Sequence, residues 1–227
     1  MFKCSKNTNF DCSYIILIIG NHAVGKTSFV NSFVNNIDTF IHDITTFPDL
    51  FTQMIKYRDD VIKLYLWDTP GYENTILNYG QYRYAHGVII MYSVTDYESF
   101  NNIEKIWIKN IIDHCELHVP VLLVGNKTDV NNKTRKITYE QGLELADKHN
   151  LKFIEISVKS NININKLFEI LIDDILESNK KLQLSQSQLK YGYPIYPVEK
   201  KKHNKNSSYF SYFCSYFCSY FCSYFCS

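Results

Sequence analysis

The sequence predicts an α/β fold: a doubly wound, mostly parallel sheet of six strands flanked by helices. Three observations lead to it. Short, continuously apolar runs recur along the chain, and segments with apolar residues at helical spacing separate them. Runs that are apolar on both faces suit strands covered from both sides, as parallel sheets require. A glycine-bounded loop joins the first such run directly to the first helical segment.

The first run, YIILIIG, ends at Gly20, and a helix begins around Lys26 with Phe29, Val30, Phe33 and Val34 on its apolar face. The bend between them turns backbone N–H groups inward, beside the positive end of the helix dipole. That makes an anion nest sized for phosphate. Gly20-x-x-x-x-Gly25-Lys26-Thr27 is the P-loop pattern of nucleoside triphosphatases. Phosphate is expected to lie against Gly20, Asn21, His22, Ala23, Val24, Gly25, Lys26, Thr27 and Ser28. Lys26 would reach the outer phosphates as the catalytic lysine, and the Thr27 hydroxyl would hold Mg2+.

The later runs are VIKLYLWD (61–68), GVIIMYSV (87–94), PVLLVGNK (120–127) and KFIEIS (152–157). Between them, ESFNNIEKIWIKNII places Phe100, Ile103, Trp107 and Ile111 at helical spacing. NKLFEILIDDIL does the same with Leu167, Phe168, Leu171, Ile172 and Ile175. Both stripes read as core. Strands alternating with helices give a sheet whose ligands sit at the carboxyl ends of the strands.

Four further segments stand at strand ends or in the loops beside them. Asp68-Thr69-Pro70-Gly71 offers a carboxylate that can hold Mg2+ through water and a Gly71 N–H that can touch a terminal phosphate. In Asn126-Lys127-Thr128-Asp129, the carboxylate of Asp129 can accept two N–H bonds from the edge of guanine, a pattern adenine does not present. Ser157-Val158-Lys159 could meet the guanine oxygen through its backbone. Thr45, in a polar loop after the first helix, could add a second hydroxyl to Mg2+. Singly these segments are weak signals, and in this order they are a strong one.

Composition bounds the rest. A chain of 227 residues holds one domain of ordinary size and a tail. A net charge of +1 gives no reason to expect a nucleic-acid partner. No apolar run approaches the roughly 18 residues of a membrane span. MFKCSKNTNFDCSY has neither a signal-peptide core nor the glycine that myristoylation needs. The seven cysteines form no disulfide framework, so a reducing, cytoplasmic setting is expected. Residues 1–12 read as an extension, 13–181 as the nucleotide domain and 182–206 as a polar, basic linker. Residues 207–227 read as a low-complexity tail, with Ser-Tyr-Phe-Cys repeated four times from Ser211.

From residue 13 to about 178 the sequence resembles the Ras superfamily of small GTPases, and within it the Rab family. KLYLWDTPGYE (63–73), YRYAHGVIIMYSVTDYESFNN (82–102) and LLVGNKTD (122–129) carry the likeness beyond the phosphate loop. The resemblance implies a small G domain that binds GTP and GDP with Mg2+. Guanine contacts would fall to Asn126, Lys127, Asp129, Ser157, Val158 and Lys159, and the metal set to Thr27, Thr45 and Asp68. It also implies a monomeric switch of vesicle traffic on the cytosolic face of an endomembrane. An exchange factor, a GTPase-activating protein and effectors would act on it, and loops around 38–50 and 70–84 would order on the γ-phosphate.

The departures fall on catalysis. Tyr72 stands where the family places the glutamine that orients the attacking water, and a phenol cannot supply an amide's paired donor and acceptor. Pro70 replaces an alanine, His22 a small residue and Ala23 a glycine. Intrinsic hydrolysis is therefore expected to be weak. Pro48 lacks a ladder donor, so the strand after the switch threonine should start late or lie at an edge. Asp38 falls where an aromatic usually covers the guanine, with Ile37 or Phe40 as substitutes. The chain ends Phe-Cys-Ser, which fits no prenylation pattern. Lys200, Lys201, Lys202 and Lys205, with the tail's aromatics and thiols, have the ingredients of an interfacial anchor; the alternative is an expanded, β-prone repeat with no role. The alternatives are a GTP-binding scaffold that does not hydrolyse, or Ras-like signalling. Asp129 argues against a P-loop kinase or ATPase.

Overall fold

In the computed structural model, residues 10–35, 48–71, 79–116 and 118–188 are described. Six strands form one sheet in the order β2-β3-β1-β4-β5-β6. β1 (Cys12–Ile19) lies parallel to β3 (Asp60–Asp68) on one side and to β4 (Gly87–Ser93) on the other. β5 (Val121–Asn126) and β6 (Lys152–Glu155) continue the parallel set. β2 (Asp49–Tyr57) pairs antiparallel with β3 and forms the edge. It begins directly after Pro48, which limits the missing ladder donor to the strand's start, as the sequence predicts.

The alternation within β1 divides the core. Ile16 and Ile18 face one side, where α1 (Lys26–Asn35) and α6 (Ile164–Gln188) pack with Phe29, Val30, Leu167, Phe168 and Leu171. Phe168 stacks on both Phe29 and Phe33, at ring-centroid distances of 5.5 and 3.8 Å. Leu17 and Ile19 face the other side, with Ile103, Trp107 and Ile111 from the helical run after β4 and Leu145 from α5 (Tyr139–Lys148). Each Leu or Ile buried here contributes about 1.5–3 kcal/mol over leaving it exposed.

That helical run is not uniform. α3 (Tyr97–Asn102) starts from Asp96, whose carboxylate accepts the Glu98 N–H at 3.1 Å, and α4 (Lys109–His114) ends it. Between them Ile103–Ile108 is a π-helical turn, which helical spacing alone does not foretell. α5 begins with a reciprocal cap between Thr138 and Gln141. α2 (Tyr79–Arg83) is a short helix before β4, and α6 runs on to Gln188, past the point where the sequence suggests a linker.

On either side of β1 the chain turns opposite ways, to β3 and to β4. The crevice at the carboxyl end of β1 is therefore the switch point where such sheets bind ligands.

Candidate functional site

The loop from Gly20 to Gly25 fills that crevice and passes into α1 at Lys26, whose first turn is closed by Phe29 N–H donating to Gly25 O at 2.9 Å. Gly25 has φ +104, and a Cβ there would lie 2.4 Å from Asn126 Nδ2, so only glycine fits. Ala23 holds φ +59, a left-handed conformation that a residue with a Cβ adopts at a cost of about 1–2 kcal/mol. Gly71 closes the crevice from the far side. A Cβ on it would come within 2.2 Å of His22 N, so the chain after β3 lies directly on the phosphate loop.

Lys26 is buried beneath the loop, its Nζ donating to Gly20 O and Asn21 O at 2.8 Å each. Desolvation pulls its ammonium down to about 8, against the opposing pull of the Asp68 carboxylate. An ammonium held this way is poised to exchange two carbonyls for phosphate oxygens. At the start of α1, Thr27 Oγ1 donates to Asp68 Oδ2 at 2.6 Å, and Asp68 is fully buried. A hydroxyl beside a carboxylate is an oxygen donor set suited to Mg2+. Thr69 Oγ1 donates to Ile18 O at 2.7 Å and fixes the turn after β3 to β1. His22 is exposed on the loop.

The base side is equally knit. Ser157 Oγ donates to Asp129 Oδ1 at 2.7 Å, and Lys159 Nζ lies 4.0 Å from Asp129 Oδ2. The carboxylate is thus held in place from the 157–159 segment. Asn126, expected among the guanine contacts, is buried and bridges three segments. Its Nδ2 donates to Val24 O at 2.9 Å, and its Oδ1 accepts the Val158 N–H at 3.3 Å. Lys127 Nζ donates to Ala23 O at 2.7 Å, so it too clamps the phosphate loop. Burial lowers the Lys127 ammonium, against Asp96 and Asp129.

The structure thus brings the residues of 20–28, Asp68, Gly71, Asn126, Lys127, Asp129 and the 157–159 segment to one end of the sheet. Tyr72, Thr45, Asp38, Ile37 and Phe40 lie outside the described residues. Sequence reasoning missed Trp107: it reads as core, yet its indole N–H donates to Asn21 Oδ1 of the phosphate loop at 2.8 Å.

A family model described as the Ras family matches residues 15–177. The chain is 40% identical over 176 residues to Ras-related protein Rab-3A of Homo sapiens, which covers 77% of this chain and 79% of that protein. It is 35% identical over 179 residues to Ras-related protein RabC of Dictyostelium discoideum, covering 78% and 90%. It is 34% identical over 199 residues to Ras-related protein Rab-13 of Canis lupus familiaris, covering 87% and 97%.

Proposed function

The chain belongs to the Ras family as a Rab-like small GTPase, and on that premise we propose that it is a slow-turnover switch of membrane traffic, set by GTP and GDP. Members of this family bind guanine nucleotide with Mg2+ and hydrolyse GTP. The observation that carries the reading is the convergence, at one crevice, of a buried Lys26, the Thr27–Asp68 pair and an Asp129 held by Ser157.

In this reading the backbone of 20–25 and Lys26 hold the β- and γ-phosphates. Thr27, Asp68 and Thr45 hold Mg2+, which when bound neutralises charge on the triphosphate. Gly71 N–H contacts the terminal phosphate, and Asp129, with the 157–159 backbone, reads the guanine edge. Asn126 and Lys127 act on the base pocket from behind, by tying it to Val24 and Ala23.

Slow turnover is supported by Tyr72, which follows Gly71 where that glycine lies on the loop at His22. A phenol there offers a single oxygen, where an amide offers an oxygen acceptor and a separate N–H donor to water and phosphate. The second reading, a scaffold that holds GTP without hydrolysing it, draws on the same tyrosine. Single-turnover hydrolysis of GTP by the full chain tests both. We expect the parent to convert GTP over hours and Tyr72→Gln to be at least about tenfold faster. Equal rates would remove the proposed role of Tyr72, and unchanged GTP after a day would favour the scaffold.

Residues 13–181 form the switch domain in this proposal, 182–206 a linker, and 207–227 a peripheral anchor on the cytosolic face of an endomembrane. Each lysine of the 200–205 cluster adds about 1 kcal/mol near an anionic surface. Cys214, Cys218, Cys222 and Cys226 supply sites for acylation. Among the described residues no helix is long and apolar enough to cross a membrane. The chain works as a monomer through an exchange factor, a GTPase-activating protein and effectors.

A further inference from the structure

The π-helical turn Ile103–Ile108 delivers one side chain out of the core and into the site. Trp107, 1% exposed, has its ring in the cluster with Leu17, Val88 and Ile103, while its Nε1–H donates to Asn21 Oδ1 at 2.8 Å. A π turn is rare because it widens the helix, and it persists where the widened path places a side chain usefully. This one is held from both sides. On its outer face Glu104 meets Lys148 Nζ at 2.7 Å and His149 Nε2 at 2.6 Å, both at the end of α5. On its inner face the indole reaches the phosphate loop.

We propose that Trp107 is a positioning residue for nucleotide binding: its indole N–H, placed by the π turn, fixes the Asn21 carboxamide and so holds the phosphate loop in its binding shape. Asn21 is the residue through which this acts. Its backbone carbonyl accepts from Lys26, and its main chain lies under Gly71, where a Cβ would come within 2.5 Å of Asn21 C. Val24 and Ala23 are tied to Asn126 and Lys127, so the loop is pinned at its far end by the base-side segments. The indole is the matching pin at its near end. Releasing it frees the second residue of the loop, and with it the carbonyl that orients Lys26. The effect falls on nucleotide release rather than on the reacting atoms.

This inference rests on the guanine-nucleotide reading, and the test separates the two. The full chain is loaded with N-methylanthraniloyl-GDP and Mg2+, and release is followed after adding excess GDP. Trp107→Phe and Asn21→Ala are each expected to release about tenfold faster, the effect of one well-placed buried hydrogen bond. The double variant is expected to match the singles within about twofold, because both remove the same bond. With Trp67→Phe, Trp107 is the sole indole of the two in the chain. Its emission should then shift on Asn21→Ala, which removes the acceptor of its N–H.

Should Trp107→Phe fold poorly, Asn21→Ala reads the same bond with the core intact. Release from Asn21→Ala at the parent rate, multiplying effects in the double variant, or an unshifted Trp107 emission in Asn21→Ala would each overturn the assignment. A parent chain that binds no labelled GDP would overturn the function with it.

Discussion

The Thr27 hydroxyl donates a 2.6 Å hydrogen bond to the carboxylate of Asp68, joining the first residues of α1 to the last residue of β3 at the mouth of the phosphate loop. A fully buried carboxylate beside a hydroxyl is an oxygen set suited to a divalent cation. Nucleotide affinity should therefore depend on Mg2+ through this pair. Chelation with EDTA should weaken GDP binding by the full chain at least about tenfold. Asp68→Asn should bind GDP with Mg2+ about 10–100-fold more weakly than the parent and respond little to EDTA. Titration calorimetry with and without chelator reads both. An undiminished Mg2+ response in Asp68→Asn would contradict this placement of the metal.

Lys26 links binding to protons. Its ordinary value of 10.5 falls to about 8 because burial disfavours the charged form. Below pH 8 the folded, nucleotide-free chain keeps a buried ammonium and bears its full cost. That cost is relieved as pH rises from about 8 to 10.5, where the unfolded chain still holds the proton and the folded chain does not. Stability of the nucleotide-free form should rise through that window. Phosphate restores the proton, so GDP binding at pH 8.5 should take up a substantial fraction of one proton, fading towards pH 7. Calorimetry in two buffers of different ionisation enthalpy measures it, and zero uptake at pH 8.5 would refute the linkage.

His86 makes the fold acid-sensitive. Its Nδ1 accepts the Ile15 N–H at 3.1 Å, and its ring meets Tyr14 edge-on. Desolvation lowers its pKa below the ordinary 6.5. The unfolded chain therefore takes a proton first, and stability falls as pH drops through about 6.5 towards the folded value. Loss of the acceptor is a change of about 1 kcal/mol, or roughly 2–4 °C in Tm for a domain this size. His86→Met should melt lower at pH 7.5 and lose less than the parent between pH 7.5 and 5. An equal loss in both would remove His86 as the cause.

Ala23 is strained at φ +59. Ala23→Gly relieves about 1–2 kcal/mol of left-handed strain and returns part of it as unfolded-state entropy. The Lys127 bond to the Ala23 carbonyl is backbone-based and survives the change. Denaturant melts should show Ala23→Gly at least as stable as the parent, and Ala23→Val destabilised by more than about 1 kcal/mol. A parent clearly more stable than Ala23→Gly would contradict the strain.

What the sequence discloses is mostly what short stretches of chain encode. The phosphate loop is legible because Gly20, Gly25, Lys26 and Thr27 act through local backbone geometry. The parallel strands are legible because burial on both faces leaves no polar alternation. The edge position of β2 follows from Pro48, although Leu50 and Met54, both exposed, blur its pattern. The misses are long-range. Trp107 and Asn21 are 86 residues apart, and helical spacing explains the tryptophan fully as core without hinting at its N–H. The π turn leaves the apolar spacing intact. Asn126 reads as a base contact from its motif, and only the folded chain adds that its carboxamide also meets Val24 and Val158.

The most direct measurement is the affinity of the full chain, stripped of nucleotide and supplied with Mg2+, for GDP, GTP, ADP and ATP in parallel. Because Asp129 is held by Ser157 for two donors that adenine lacks, the account predicts tight binding of both guanine nucleotides and adenine binding weaker by about 10⁴-fold. Failure to bind GDP or GTP, or a preference for ATP, would contradict it.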